Sequence, residues 1–228
     1  MVHSDSTILE DLLLPERLER LKEVLANRVV SVTLVLENLH KDYNISAILR
    51  TCESFGIQEI HMVPQPGEGQ AEYSQAEQGK IFKTVTQGSH KWLTVHRHED
   101  VGTCIQILKE KGFRILAGAF GEDALSLDKT DFSGRVALVF SNELEGANTE
   151  VLDLVDGFFV IPMTGFSRSL NVSVAAGIVI HHVLRYKLDK GEELERIPPN
   201  ESGRILGEWV KKSVRQADQV LKELRSRK

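Results

Sequence analysis

Five side chains with hydrogen-bonding or charged groups stand in three short stretches where a hydrophobic core has no use for them. They are Asn44 and Arg50 in YNISAILRT, Glu143 in FSNELEG, and Ser169 and Asn171 in IPMTGFSRSLNVSVA. Each stretch follows an apolar run and leads toward a helical pattern, so each reads as a strand-to-helix junction. In a parallel sheet such junctions lie beyond the carboxyl ends of the strands, where ligands bind. Taken singly, each residue has an ordinary structural explanation: Asn44 and Asn171 as helix caps, Arg50 as an exposed helix residue, Glu143 as a loop carboxylate. Together, at three neighbouring strand ends, they supply donors, acceptors and a permanent cation suited to a polar ligand.

The elements that must position them are legible from periodicity. The segment to about Arg28 has Pro15 at a first helical position and an apolar seam of Leu14, Leu18, Leu21 and Leu25. SVTLVLE, residues 31–37, is β-branched and apolar and predicts a buried strand. The helix after it has Asn44 as N-cap and Gly56 as stop, with Ile45, Ile48, Leu49, Cys52 and Phe55 inward and Ser46, Arg50, Glu53 and Ser54 outward. A strand follows at residues 57–63 and ends at Pro64 and Pro66. The polar stretch 67–79 predicts a mobile surface loop, and its GEG fails as a dinucleotide fingerprint because Glu72 occupies the third glycine position. A strand from Trp92 places His96 and His98 on one face; with no third ligand in the pattern, this reads as a solvated polar face. A helix from Asp100, strands ending at Gly118 and Phe140, a helix over 149–155 and the strand GFFVIP complete the alternation. The small residues Ser173, Ala175, Ala176 and Gly177 mark close packing on the last helix of the series. Strands apolar on both faces and alternating with helices predict an α/β fold: a mainly parallel sheet covered on both faces.

A chain of 228 residues, 41% hydrophobic, can bury one sizeable core. The expected organisation is a helical extension over 1–30, a domain over 31–188, and a polar linker with a basic C-terminal helix over 189–228. Cys52 and Cys104 show no metal or redox spacing and read as reduced core thiols, which predicts a cytoplasmic location. No apolar run reaches membrane-spanning length, so a soluble protein with no membrane partner is expected. The net charge of −5 argues against broad nonspecific binding of nucleic acid, yet residues 204–228 carry eight Lys or Arg against three acidic side chains. In that tail Leu206, Val210, Val214 or Ser213, Ala217, Leu221 and Leu224 form the apolar side. Lys211, Lys212 and Arg215 then belong to a solvated face or to one presented to phosphate.

NISAILRT, the N-E-x-E-G run at Asn142 to Gly146 and IPMTGFSRSLNVSVA resemble the three motifs of the SPOUT class of RNA 2′-O-methyltransferases. Within that class the chain looks most like the TrmH type, which methylates the ribose of a guanosine in the tRNA D-loop. The resemblance runs from about Val32 to Leu184. It implies a C-terminal trefoil knot, S-adenosyl-L-methionine as methyl donor, tRNA as substrate, a homodimer and no metal requirement. Carried over by position, Gly118, Ser141, Ile161 and Leu170 hold the cofactor; the family usually has glycine where this chain has Ser141. Arg50 then promotes loss of the 2′-hydroxyl proton. A guanidinium has too high a pKa to be a ready base, which favours a second role as phosphate anchor and stabiliser of the developing alkoxide. Asn44 would fix that arginine or the ribose, Glu143 would orient substrate or loop, and Ser169 and Asn171 would shape the third loop. Two other expectations compete: methylation of ribosomal RNA or another tRNA position, and a noncatalytic RNA-binding protein with the same fold.

Overall fold

The computed structural model describes residues 5–39, 41–64, 88–119, 123–141, 149–167 and 169–226. Among these residues seven strands form one sheet: β1 (Val32–Glu37), β2 (Glu59–Val63), β3 (Thr94–Arg97), β4 (Arg114–Gly118), β5 (Leu125–Ser126), β6 (Val136–Phe140) and β7 (Gly157–Val160). Their order is β3-β2-β1-β6-β4-β7-β5, and every pairing is parallel. The central strands β1 and β6 are buried along their whole length, as their continuous Val/Leu runs require.

The sheet's two faces carry separate apolar layers. On one, Leu34, Leu36, Val136 and Leu138 meet α3 (Asp42–Ser54) through Ile45, Ile48, Leu49 and Cys52. The α6 helix (Val172–Asp189) completes that layer through Ala176, Val179, Ile180 and Val183. On the other face, Val35, Ala137 and Val139 pack with α4 (Val101–Glu110) and α5 (Thr149–Leu154). The expected α/β fold with helices on both faces is therefore present. Both cysteines are free and buried, one in each layer. Burial raises both thiols, Cys104 to about 12, so neither is a ready nucleophile.

Several boundaries differ from expectation. Asn44 does not cap α3: the helix starts at Asp42 with Lys41 as N-cap, and Asn44 is buried inside its first turn. Ser46 is fully buried while Phe55 is 40% exposed, the reverse of the expected faces. The reason is that α3 packs against both the sheet and α6, which widens its buried arc, whereas Phe55 lies past the last helical residue. Gly56 does follow the helix with a φ of 80°, the left-handed conformation that glycine adopts freely. The strand expected from Trp92 begins instead at Thr94, after a 3₁₀ turn over Ser89–Trp92. The expected loop over 67–79 lies outside the described residues.

The chain divides into two compact units, Val29–Glu195 and Met1–Arg28 with Arg196–Lys228. In the second, α1 (Asp5–Glu10) and α2 (Pro15–Ala26) pack on α7 (Pro199–Ser213), and α1 also meets α8 (Ala217–Ser226). Leu9, Leu21, Leu25, Ile205, Trp209, Val210, Ala217 and Leu221 are buried there, and the Arg28 guanidinium lies 5.1 Å from the centre of the Trp209 ring. The leucine seam is shorter than expected, because Leu14 precedes α2 and is 73% exposed. The basic tail is two helices rather than one, interrupted where Gln216 has a φ of 54°.

In the larger unit, Lys187 is fully buried near the end of α6. Its Nζ donates to the Gly134 carbonyl and, at 2.8 Å, to Glu192 Oε1, which also accepts from the Gly134 amide. Removing only the carboxylate would leave a buried ammonium without its counter-charge. Glu192→Ala is expected to destabilise the protein by about 3 kcal/mol, and Lys187→Met by less, in urea unfolding followed by circular dichroism.

Candidate active site

Parallel pairing carries the carboxyl ends of β1, β6, β4 and β7, neighbours in that order, to one edge of the sheet. Asn44 stands in the first turn of α3, after β1, and Asn171 opens α6, after β7. Asn171 is the N-cap of α6: its Oδ1 accepts from the Ser173 amide at 2.9 Å and from Ser173 Oγ at 2.5 Å. Its Nδ2 donates to Asn44 Oδ1 at 2.9 Å, joining two motifs 127 residues apart. The cap expected of Asn171 is thus present, together with a bridge that local sequence patterns do not reveal. Small residues permit the approach: Ala176 is fully buried, and a Cβ added at Gly177 would meet Thr51 Cγ2 of α3 at 3.9 Å.

Arg50 is on the exposed side of α3 and, among the described residues, forms no ion pair. Ser169 is exposed in the loop before α6. Glu143 lies outside the described residues.

The expected cofactor residues occupy adjacent strand ends. Gly118 closes β4 and is paired with Phe159 of β7; Ser141 follows the last residue of β6, and Ile161 the last of β7. A side chain at Gly118 would start 3.3 Å from the Phe159 ring, so only glycine leaves that ring in place. Ser141, Ile161 and Leu170 are half-buried, and Ile161 packs against the apolar layer below it. Backbone groups at strand ends, bounded by Ile161 and Leu170 and by a position without a side chain, suit a flat heteroaromatic ligand with polar edges.

The expectation of a solvated face for His96 and His98 is corrected. Parallel register sets His61 of β2 opposite His96, and the His61 ring stacks on both, with centroids 4.7 Å from His96 and 5.1 Å from His98. His61 is 1% exposed, and burial, with the charges of His96 and His98, pushes its imidazole down to about 3. Burial also lowers His98, while His96, whose Nε2 stands 3.5 Å from Glu59 Oε2, holds the Glu59 carboxyl below its usual range. The neighbouring-strand parity of Glu59 and His61 carried this signal in the sequence; only strand order could reveal it.

If the Asn44–Asn171 bond couples the two motifs, their effects on stability will not add. Asn171→Ala is expected to destabilise by about 2 kcal/mol through the lost cap and lost bridge. A double-mutant cycle with Asn44→Ala should show coupling of about 1 kcal/mol, and additive effects would refute the bridge.

Residues 31–181 match the SpoU rRNA Methylase family. The chain is 37% identical over 197 residues to a tRNA (guanosine(18)-2′-O)-methyltransferase of Thermus thermophilus, covering 86% of this chain and 96% of that one. A protein of the same description from Escherichia coli K12 is 32% identical, over 85% of this chain and 82% of its own. The crystal structure of the Aquifex aeolicus TrmH/SpoU tRNA modifying enzyme superposes with a TM-score of 0.76 at 30% identity, covering 92% of this chain and all of that one. With residues 31–181 matched and 37% identity maintained across nearly the whole of a relative, this chain belongs to the SpoU rRNA methylase family.

Proposed function

We propose that this protein is a tRNA 2′-O-methyltransferase that acts on the D-loop guanosine named in its relatives. The observation that carries the reading is the 37% identity to a guanosine-18 methyltransferase across 96% of that relative's length. Relatives of this description align over 197 residues, more than the matched methylase region 31–181 contains, which favours a tRNA over a ribosomal substrate.

S-adenosyl-L-methionine, when bound, supplies an electrophilic methyl on a sulfonium. Gly118, Ser141, Ile161 and Leu170 hold its adenosyl portion by backbone hydrogen bonds and apolar contact. Their fit is supported by the side-chain-free position at Gly118 and the half-buried Ile161 and Leu170. The remaining work is to place a ribose 2′-oxygen in line and to stabilise it as its proton leaves. Arg50, exposed and without an ion pair among the described residues, anchors an RNA phosphate and stabilises the developing alkoxide. The Asn44–Asn171 bridge holds the first and third loops at a fixed separation, Ser169 shapes the third loop, and Glu143 orients the substrate.

The trefoil knot of the class and a homodimer belong to the same reading. For the dimer, the support is apolar surface on the two helices that carry the site: Tyr43 and Phe55 at α3, and Val174, Ile178 and Leu188 on α6, are all at least 40% exposed. Lys211, Lys212 and Arg215 engage the tRNA backbone through charge.

Three measurements test the proposal. Methyl transfer to a tRNA transcript should disappear when the D-loop guanosine is replaced by 2′-deoxyguanosine, and Arg50→Ala should lower turnover by about 10²–10³-fold with cofactor affinity unchanged. Near-wild-type turnover of Arg50→Ala would remove that residue from the mechanism. Neutralising Lys211, Lys212 and Arg215 should flatten the salt dependence of tRNA affinity by about one unit of log–log slope for every phosphate no longer neutralised; an unchanged slope returns the tail to a structural role.

A further inference from the structure

The face of the sheet covered by α4 holds a second cluster of chemistry-bearing side chains, which methyl transfer does not use. His61 from β2, His98 just past β3 and Cys104 from α4 each bring one ligand atom, all within 4.8 Å of one another. His61 Nδ1 and His98 Nε2 stand 2.8 Å apart. His61 and Cys104 are buried, and His98 is half-buried. We infer a binding site for a divalent metal ion of the zinc class, held by His61, His98 and Cys104 with a fourth position open to water.

The donor set selects the ion. Two imidazole nitrogens and one thiolate suit zinc and its borderline-soft neighbours, whereas calcium and magnesium require oxygen ligands. For the histidine pair the adjustment needed is small. Nitrogens bound to one tetrahedral zinc at about 2.0 Å stand roughly 3.3 Å apart, so the His61–His98 pair must open by about half an ångström. Coordination replaces the Cys104 S–H bond with a sulfur–metal bond and releases the proton to solvent.

The surroundings match a second shell. Among the described residues, the buried Nε2 of His61 has no hydrogen-bond partner. With Nδ1 on the metal, that nitrogen carries the ring's proton. Glu59, in a group with His61 and His96 whose ligand atoms also lie within 4.8 Å of one another, offers a carboxylate to receive it. A ligating histidine that donates its other N–H to a carboxylate is the usual outer-shell arrangement. The ion would join the edge strand β3 to β2 and α4, on the face opposite the helices that carry Asn44 and Asn171. That placement makes it independent of the proposed methyl transfer.

The test is titration of tag-free, chelator-treated full-length protein with Co²⁺, followed by displacement with Zn²⁺. Binding of one ion at micromolar affinity or tighter is expected, with sulfur-to-cobalt charge-transfer absorption and a Zn²⁺-dependent rise in melting temperature. Cys104→Ser should abolish that absorption, and His98→Ala should weaken binding at least tenfold. Because Cys104 is a core position, His98→Ala carries the test alone if the serine variant does not fold. Absence of binding below about 100 μM, cobalt bound without the sulfur band, or unchanged affinity in His98→Ala would each overturn the site.

Discussion

Everything at the candidate site depends on one topological constraint: every strand is parallel, and β6 lies between β1 and β4. Parallel strands must return by crossovers, so successive strand-to-helix junctions collect at a single edge. The three motif stretches follow β1, β6 and β7, and Gly118 closes β4 between the latter two. Burial on both faces then holds this order, because a one-residue slip would move each strand's side chains into the opposite apolar layer. A polar pair 127 residues apart can meet at 2.9 Å because rigid packing carries α3 and α6 together.

Two cations in the larger unit show how environment separates structural from available charge. Lys187 is fully buried, and its donors end on Glu192 and the Gly134 carbonyl, so its charge is already neutralised within the fold. Arg50 is exposed and, among the described residues, has no ion-pair partner. A guanidinium in that state retains its fork of donors for an incoming phosphate or oxyanion. Asn44, nearly two turns earlier on the same helix, is buried and bonded to Asn171. One helix thus presents a fixed group inward and an uncommitted cation outward, the division that substrate binding on a rigid scaffold requires.

Strand existence, strand type and the α/β class were legible because β-branched runs at 31–37 and 136–140 leave few alternatives to buried parallel strands. The candidate site stretches were legible as polar residues at junctions, and their family through three separate motifs. What periodicity could not provide was lateral order. His61 and His98 are 37 residues apart and meet because β2 and β3 are neighbours, while Cys104 approaches from α4. The two-residue strand β5 is too short to leave a pattern, and the break at Gln216 falls in a polar stretch without Gly or Pro to announce it. The misplaced cap at Asn44 has a similar origin. Asparagine at a helix start favours capping by local chemistry, and here tertiary contact with Asn171 prevails over it.

The terminal unit adds a final distinction between charge that stabilises and charge that can be exchanged. Its apolar contacts centre on Trp209, Ile205, Leu21 and Leu25, which account for its compactness without help from surface ions. The Lys211–Asp218 pair at 2.6 Å has side chains 50% and 82% exposed, a setting in which ion pairs contribute little to stability. Such a lysine can exchange Asp218 for a phosphate at small energetic loss, since both partners are already solvated. On the reading proposed above, basic side chains supported by a helix whose packing does not depend on them would engage a phosphate without unfolding their own support. That arrangement reconciles a net charge of −5 with a local basic surface, because steering acts through the nearest charges and decays within about 10 Å at 0.1 M salt.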